Sequence, residues 1–98
     1  MIMPLYHGGR ARLEPGGLLR SGQSPNPWGD TFSSRGLSIW IYATDDLGTA
    51  RMYADAVRNT GRRAYLYEVE ATGQTFRDYV RGDVKSAEPF KVIRRIRY

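Results

Sequence analysis

Seven of the eleven glycines and four of the five prolines fall in residues 1–36. Glycine and proline punctuate regular structure, so this third of the chain can hold only short elements joined by turns. Leu5-Tyr6-His7 reads as a short strand ended by Gly8-Gly9. Pro15-Gly16-Gly17 is a turn, and Leu18-Leu19 is a brief apolar pair. The stretch from Arg20 to Gly36 reads as a loop, and a loop of that length in a compact domain is more often functional or mobile than idle. The periodic structure must therefore come from the remaining residues.

Those residues supply it. Residues 37–44 (LSIWIYAT) are β-branched, aromatic and mostly apolar, as in a buried strand. Thr44-Asp45-Asp46 offers capping oxygens and first-turn acids. Leu47, Ala50, Met52, Tyr53, Ala54 and Val57 then follow at near-helical spacing, which predicts a helix over about 46–59, closed by Asn59-Thr60-Gly61. Residues 63–70 (RAYLYEVE) alternate in the manner of a strand. Residues 74–87 are mixed and polar. Residues 89–97 form a further strand, with Phe90, Val92 and Ile93 as core candidates. With 98 residues, the chain is expected to be a single domain over 1–98. The fold class is α+β, a sheet with one main helix.

Composition excludes several chemistries. The chain has no cysteine and one histidine, His7, which removes thiolate nucleophiles, iron–sulfur clusters and His-pair metal motifs. No metal is expected. There is no phosphate loop of the GxxxxGK[ST] type, no GxGxxG after a strand and no GxSxG elbow. No apolar run is long enough for a membrane span, and the start MIMPLYHGG lacks the basic region of a signal peptide. A soluble cytoplasmic protein with no membrane partner is expected, from a bacterium or a phage-infected host.

The net charge is +5 from 15 basic and 10 acidic residues. The first 49 residues hold four of each sign, so the excess lies wholly in residues 50–98. Thirteen of the fifteen cations are arginine. An anionic partner is one reading; Arg-rich codon usage with a solvated surface is the other.

Three segments could carry a site. In Tyr6-His7-Gly8-Gly9, an imidazole sits beside glycines that let a ligand approach the backbone; a structural histidine at a strand end is the alternative. In Ile41-Tyr42-Ala43-Thr44, an aromatic ends a strand and can stack on a flat ring or serve the core. In Tyr67 to Gly73, with Asp78 beyond, a carboxylate on a loop can face a developing cation or be plainly solvated.

In this order the blocks resemble the rifamycin-modifying, Arr-like ADP-ribosyltransferases. YHGGRARLEPGGLL is similar to that family's YHGT…L.PGDLL opening. IYATDDLGTARMYA resembles its strand–helix pattern ending in Tyr-Ala. YLYEVEATG resembles YIVEPTG, and SAEPFKVI resembles the S.EPL+IV closing strand. The blocks span residues 5–93. Gly9 stands where the family has Thr and Ala71 where it has Pro, and the loop after Gly73 is shorter than the family's.

The resemblance implies a compact ADP-ribosyltransferase-like split β-sheet. It implies a mono-ADP-ribosyltransferase that uses NAD+ as co-substrate, releases nicotinamide, and confers rifampicin resistance where the acceptor is the drug. The acceptor is an antibiotic, a protein or a nucleic acid. The family's catalytic His, Tyr and Asp carry over to His7, Tyr42 and Asp78, with Asp83 the alternative to Asp78 and Trp40 the competitor of Tyr42. NAD+ contacts carry over to His7, Gly8, Gly9, Tyr42 and Tyr53, with Arg10 and Arg12 near the pyrophosphate. Two other classes fit the same residues: a non-catalytic binding module of this fold, and a basic nucleic-acid-binding domain using the Arg-rich half.

Overall fold

The computed structural model describes residues 4–20, 40–78 and 83–98. Seven strands and one helix run in the order β1 (Leu5–Gly9), β2 (Leu18–Leu19), β3 (Ile41–Thr44), α1 (Leu47–Arg58), β4 (Tyr65–Ala71), β5 (Phe76–Asp78), β6 (Asp83–Ser86) and β7 (Phe90–Ile96). They form one sheet of order β2-β7-β4-β1-β3-β6-β5. Every pairing in it is antiparallel. This is the expected α+β class. The long predicted loop, apart from Arg20, and the first residues of the predicted 37–44 strand lie outside the described residues.

The sheet is divided at β1. On one side β1 pairs with β4 at five positions, from Leu5 opposite Val69 to Gly9 opposite Tyr65. On the other side, among the described residues, it pairs with β3 only at Tyr6 opposite Thr44. Past that pair the two strands form a fork. The split sheet implied by the resemblance is thus present as two limbs, β2-β7-β4-β1 and β3-β6-β5, joined at a single pair.

Strand alternation assigns the two faces. Leu19, Ile41, Ala43, Tyr67, Val69, Val84, Phe90 and Val92 form the buried core on one face. The helix covers the other. Asp46 caps it, its carboxylate accepting from the amides of Gly48 and Thr49. Ala50 and Ala54 are its buried residues. Small residues are needed there because Gly8 of β1 lies directly beneath. A Cβ on Gly8 would stand 2.1 Å from the Ala50 carbonyl oxygen and 2.9 Å from the Ala54 nitrogen. The missing side chain of Gly8 is therefore filled by the helix backbone.

Two expectations change. The first strand does not stop at Gly8-Gly9 but runs through both, since their backbones still pair with β4. Ile93 is 42% exposed rather than core, because alternation on β7 turns Phe90 and Val92 inward and Ile93 outward. The polar stretch 74–87 holds a hairpin: β5 pairs with β6 from Phe76 opposite Lys85 to Asp78 opposite Asp83.

Candidate active site at the fork between β1 and β3

His7 is buried, with 7% exposure. Its position on β1 faces Tyr67 of β4, on the core side of the sheet. The ring nitrogen Nδ1 donates to the Tyr42 carbonyl oxygen at 2.7 Å. A carbonyl can only accept, so Nδ1 carries the proton. Burial pushes the imidazole below its ordinary pKa of 6.5, partly offset by the contact with the Tyr42 carbonyl. The ring is therefore neutral at pH 7, and Nε2 presents a bare lone pair. Nε2 is buried and has no hydrogen-bond partner among the described residues. A buried acceptor without a donor costs about 1–3 kcal/mol, so the site favours any ligand that brings a hydroxyl.

The contact with Tyr42 is made by its backbone. The Tyr42 side chain lies on the face of β3 opposite Ile41 and Ala43, half-buried, with Lys85 as its cross-strand neighbour. On the same limb the Lys85 ammonium sits 4.6 Å from the centre of the Trp40 ring, and Phe76 meets Trp40 edge-on at 5.7 Å. Trp40 is thus engaged with Lys85 and Phe76, and strand alternation puts the Tyr42 side chain on the face of the sheet opposite the His7 ring.

Gly8 and Gly9 bring their backbones to the fork, since β1 has no further pairing with β3 beyond Tyr6 among the described residues. Tyr53 reaches from the helix to the second limb. Its hydroxyl donates to Asp83 Oδ2 at 2.6 Å. Asp83 is 1% exposed and stands opposite Thr44. The two aspartates weighed from the sequence are strand partners, Asp78 on β5 opposite Asp83 on β6. Asp83 is held beneath the helix by Tyr53. The side chain of Asp78 lies outside the described part of the structure.

Tyr67 opens the third candidate segment of the sequence, but its organising role is visible only in the structure. Its hydroxyl donates to the Ala11 carbonyl at 2.7 Å and accepts from the Leu13 amide at 2.8 Å. This phenol fixes the segment that follows Gly9, whose Ala11 and Leu13 pack against the core. The period-two pattern of Tyr65, Tyr67 and Val69 marked it as core but gave no sign of its hydroxyl's partners.

A family model for rifampin ADP-ribosyl transferases matches residues 5–97. The chain belongs to this family. No curated protein matches it. Membership in the rifampin ADP-ribosyl transferases implies, in general terms, transfer of ADP-ribose from NAD+ to rifampin. The matched span takes in both limbs of the sheet, the helix and the fork. Among the described residues, no group of three or more His, Asp or Glu side chains is arranged to hold a metal ion. No helix there is long and apolar enough to cross a membrane.

Proposed function

We propose that the chain is an NAD+-dependent mono-ADP-ribosyltransferase whose site is the fork, with His7, Tyr42 and Asp78 as its catalytic residues. The observation that carries this reading is the buried, unpartnered Nε2 of His7, held in place by the Tyr42 carbonyl. NAD+ is rich in ribose hydroxyls, and a neutral imidazole acceptor in a dry site selects such a donor.

The chemistry follows from the substrate. The bond between nicotinamide nitrogen and ribose C1′ breaks, and its electron pair leaves with nicotinamide, which departs neutral. The ribose becomes an oxocarbenium-like cation. An acceptor hydroxyl attacks C1′ and gives up its proton. The enzyme's task is positioning and charge stabilisation. His7 Nε2 accepts from a ribose hydroxyl and fixes the sugar. The backbones of Gly8 and Gly9 meet the nicotinamide amide, and the rings of Tyr42 and Tyr53 enclose the nicotinamide. Asp78 faces the cation and receives the acceptor's proton. Arg10 and Arg12, which follow the fork on the chain, meet the pyrophosphate.

The test is mass spectrometry of rifampin after incubation with NAD+ and protein. An added ADP-ribose is expected, with turnover lowered about 10²–10³-fold in His7→Ala, Tyr42→Ala and Asp78→Asn. Unchanged turnover in all three variants would remove the site assignment. Absence of any NAD+ consumption would favour the non-catalytic binding module.

A further inference from the structure

The arginine excess of the second half divides into two populations. On the sheet and its edges four cations are paired. Arg77 meets Asp45 at 3.3 Å, Lys91 meets Glu70 at 4.0 Å, Arg94 meets Glu68 at 2.8 Å and Arg95 meets Glu14 at 3.7 Å. Beyond the helix C-terminus others are not. Arg58, Arg62 and Arg63 line one depression with Gly61, Ala64 and Tyr98. Arg62 and Arg63 are exposed and form no ion pair among the described residues. Arg58 lies over the Tyr98 ring, 5.4 Å from its centre. The Asp55 carboxylate accepts from the Tyr98 hydroxyl.

Helix capping does not account for the cluster. Three of the last four helix carbonyls are already met by backbone amides: Asn59 donates to Asp55, Thr60 to Val57 and Gly61 to Arg58. Gly61, at φ +84°, turns the chain out of the helix and leads Arg62 and Arg63 away along an irregular segment. Three guanidinium groups at one depression, each a planar fork of donors, match successive phosphates rather than a single counter-ion. Tyr98, 39% exposed, adds an aromatic surface. Cations tracking a backbone beside a stacking ring are the elements of single-strand binding.

We infer that Arg58, Arg62, Arg63 and Tyr98 form a docking site for the phosphodiester backbone of a single-stranded nucleic acid. The site is separate from the NAD+ contacts proposed above and does not depend on them. It lies at the end of the sheet where β1 finishes, since Ala64 and Arg63 immediately precede Tyr65, which pairs with Gly9.

The test is fluorescence anisotropy with a labelled oligouridylate on the full chain at several salt concentrations. Arg62→Gln combined with Arg63→Gln is expected to weaken binding at least about tenfold. It should also reduce the log–log salt slope by about 1.4, two single-strand contacts at about 0.7 each. Tyr98→Leu is expected to weaken binding with the slope retained. Lys91→Gln combined with Arg94→Gln removes the same charge from paired positions and is expected to leave affinity within about twofold, judged by the same salt titration. Equal losses in the two double variants would show general charge attraction and overturn the site. So would unchanged binding in the Arg62/Arg63 variant, displacement by NAD+, or equally strong binding of poly-glutamate. NAD+ turnover, measured in parallel, reports on the fork alone.

Discussion

The imidazole of His7 and the carbonyl oxygen of Tyr42 lie 2.7 Å apart, although 35 residues separate them in the chain. This one hydrogen bond fixes the tautomer, leaves Nε2 buried without a partner among the described residues, and ties the two limbs where their backbones no longer pair. It makes the state of His7 a matter of both stability and turnover.

Stability should depend on pH through His7. The unfolded ring takes up a proton near its ordinary pKa of 6.5, whereas the folded ring resists it through burial. Below pH 6.5 the unfolded state therefore holds more protons, and stability falls as pH falls, by up to about 1.4 kcal/mol per pH unit. Above that value the contribution is complete and flat. Urea unfolding at pH 7.5 and 5.5 measures it, and His7→Gln should abolish this part of the slope. NAD+ turnover should fall only at lower pH than the onset of this stability loss, once the folded ring itself takes up a proton, because a protonated Nε2 cannot accept a hydroxyl.

Gly8→Ala should destabilise by roughly 1–3 kcal/mol. The added methyl would meet helix backbone at 2.1 Å, and backbone cannot swing aside as a side chain can. Thermal unfolding should show a lower Tm, by roughly 4–8 °C for each kcal/mol. A wild-type Tm would contradict the close approach of helix and strand.

Tyr53→Phe should cost about 1–3 kcal/mol, since it withdraws a donor from the buried Asp83 carboxylate. A double-mutant cycle with Asp83→Asn should give a coupling energy well above zero. The contrast with Asp78→Asn separates the two aspartates. Loss of stability is expected at Asp83, and loss of turnover with near-normal unfolding at Asp78.

Tyr67→Phe should free the segment after Gly9. The phenol both donates to Ala11 and accepts from Leu13, so its removal strands two backbone groups. Hydrogen exchange at the Leu13 amide should quicken, with a stability loss of about 1–3 kcal/mol.

The elements that hydrophobic period defines were legible from the residues. The helix stands at Leu47–Arg58 against the expected 46–59, and the strands at Tyr65–Ala71 and Phe90–Ile96 lie close to their expected bounds. The hairpin of β5 and β6 was not legible, because two of its buried positions are polar. Asp83 and Ser86 are buried through hydrogen bonds, to the Tyr53 hydroxyl and the Gln74 carbonyl, so no apolar alternation marks the strand. Gly8 was read as room for a ligand, whereas the direction of its absent side chain is taken by the helix. Only tertiary packing distinguishes these uses of a glycine. For His7, the sequence offered a residue type beside glycines; its tautomer comes from a carbonyl that no spacing rule would have selected.

A sheet joined at one pair is also a mechanical seam. A full ladder would make the two limbs resist opening together, each pair sharing the load. Here, among the described residues, Tyr6 opposite Thr44 and the His7–Tyr42 contact bear it at the sheet, and α1 bridges the gap by packing on both β1 and β3. The buried core also unites the limbs, packing Ile41, Ala43 and Val84 of one against Tyr67, Val69 and Val92 of the other. At this seam the joining of the sheet passes from backbone pairing to side chains and helix, so single side chains there carry what a ladder of backbone bonds carries elsewhere.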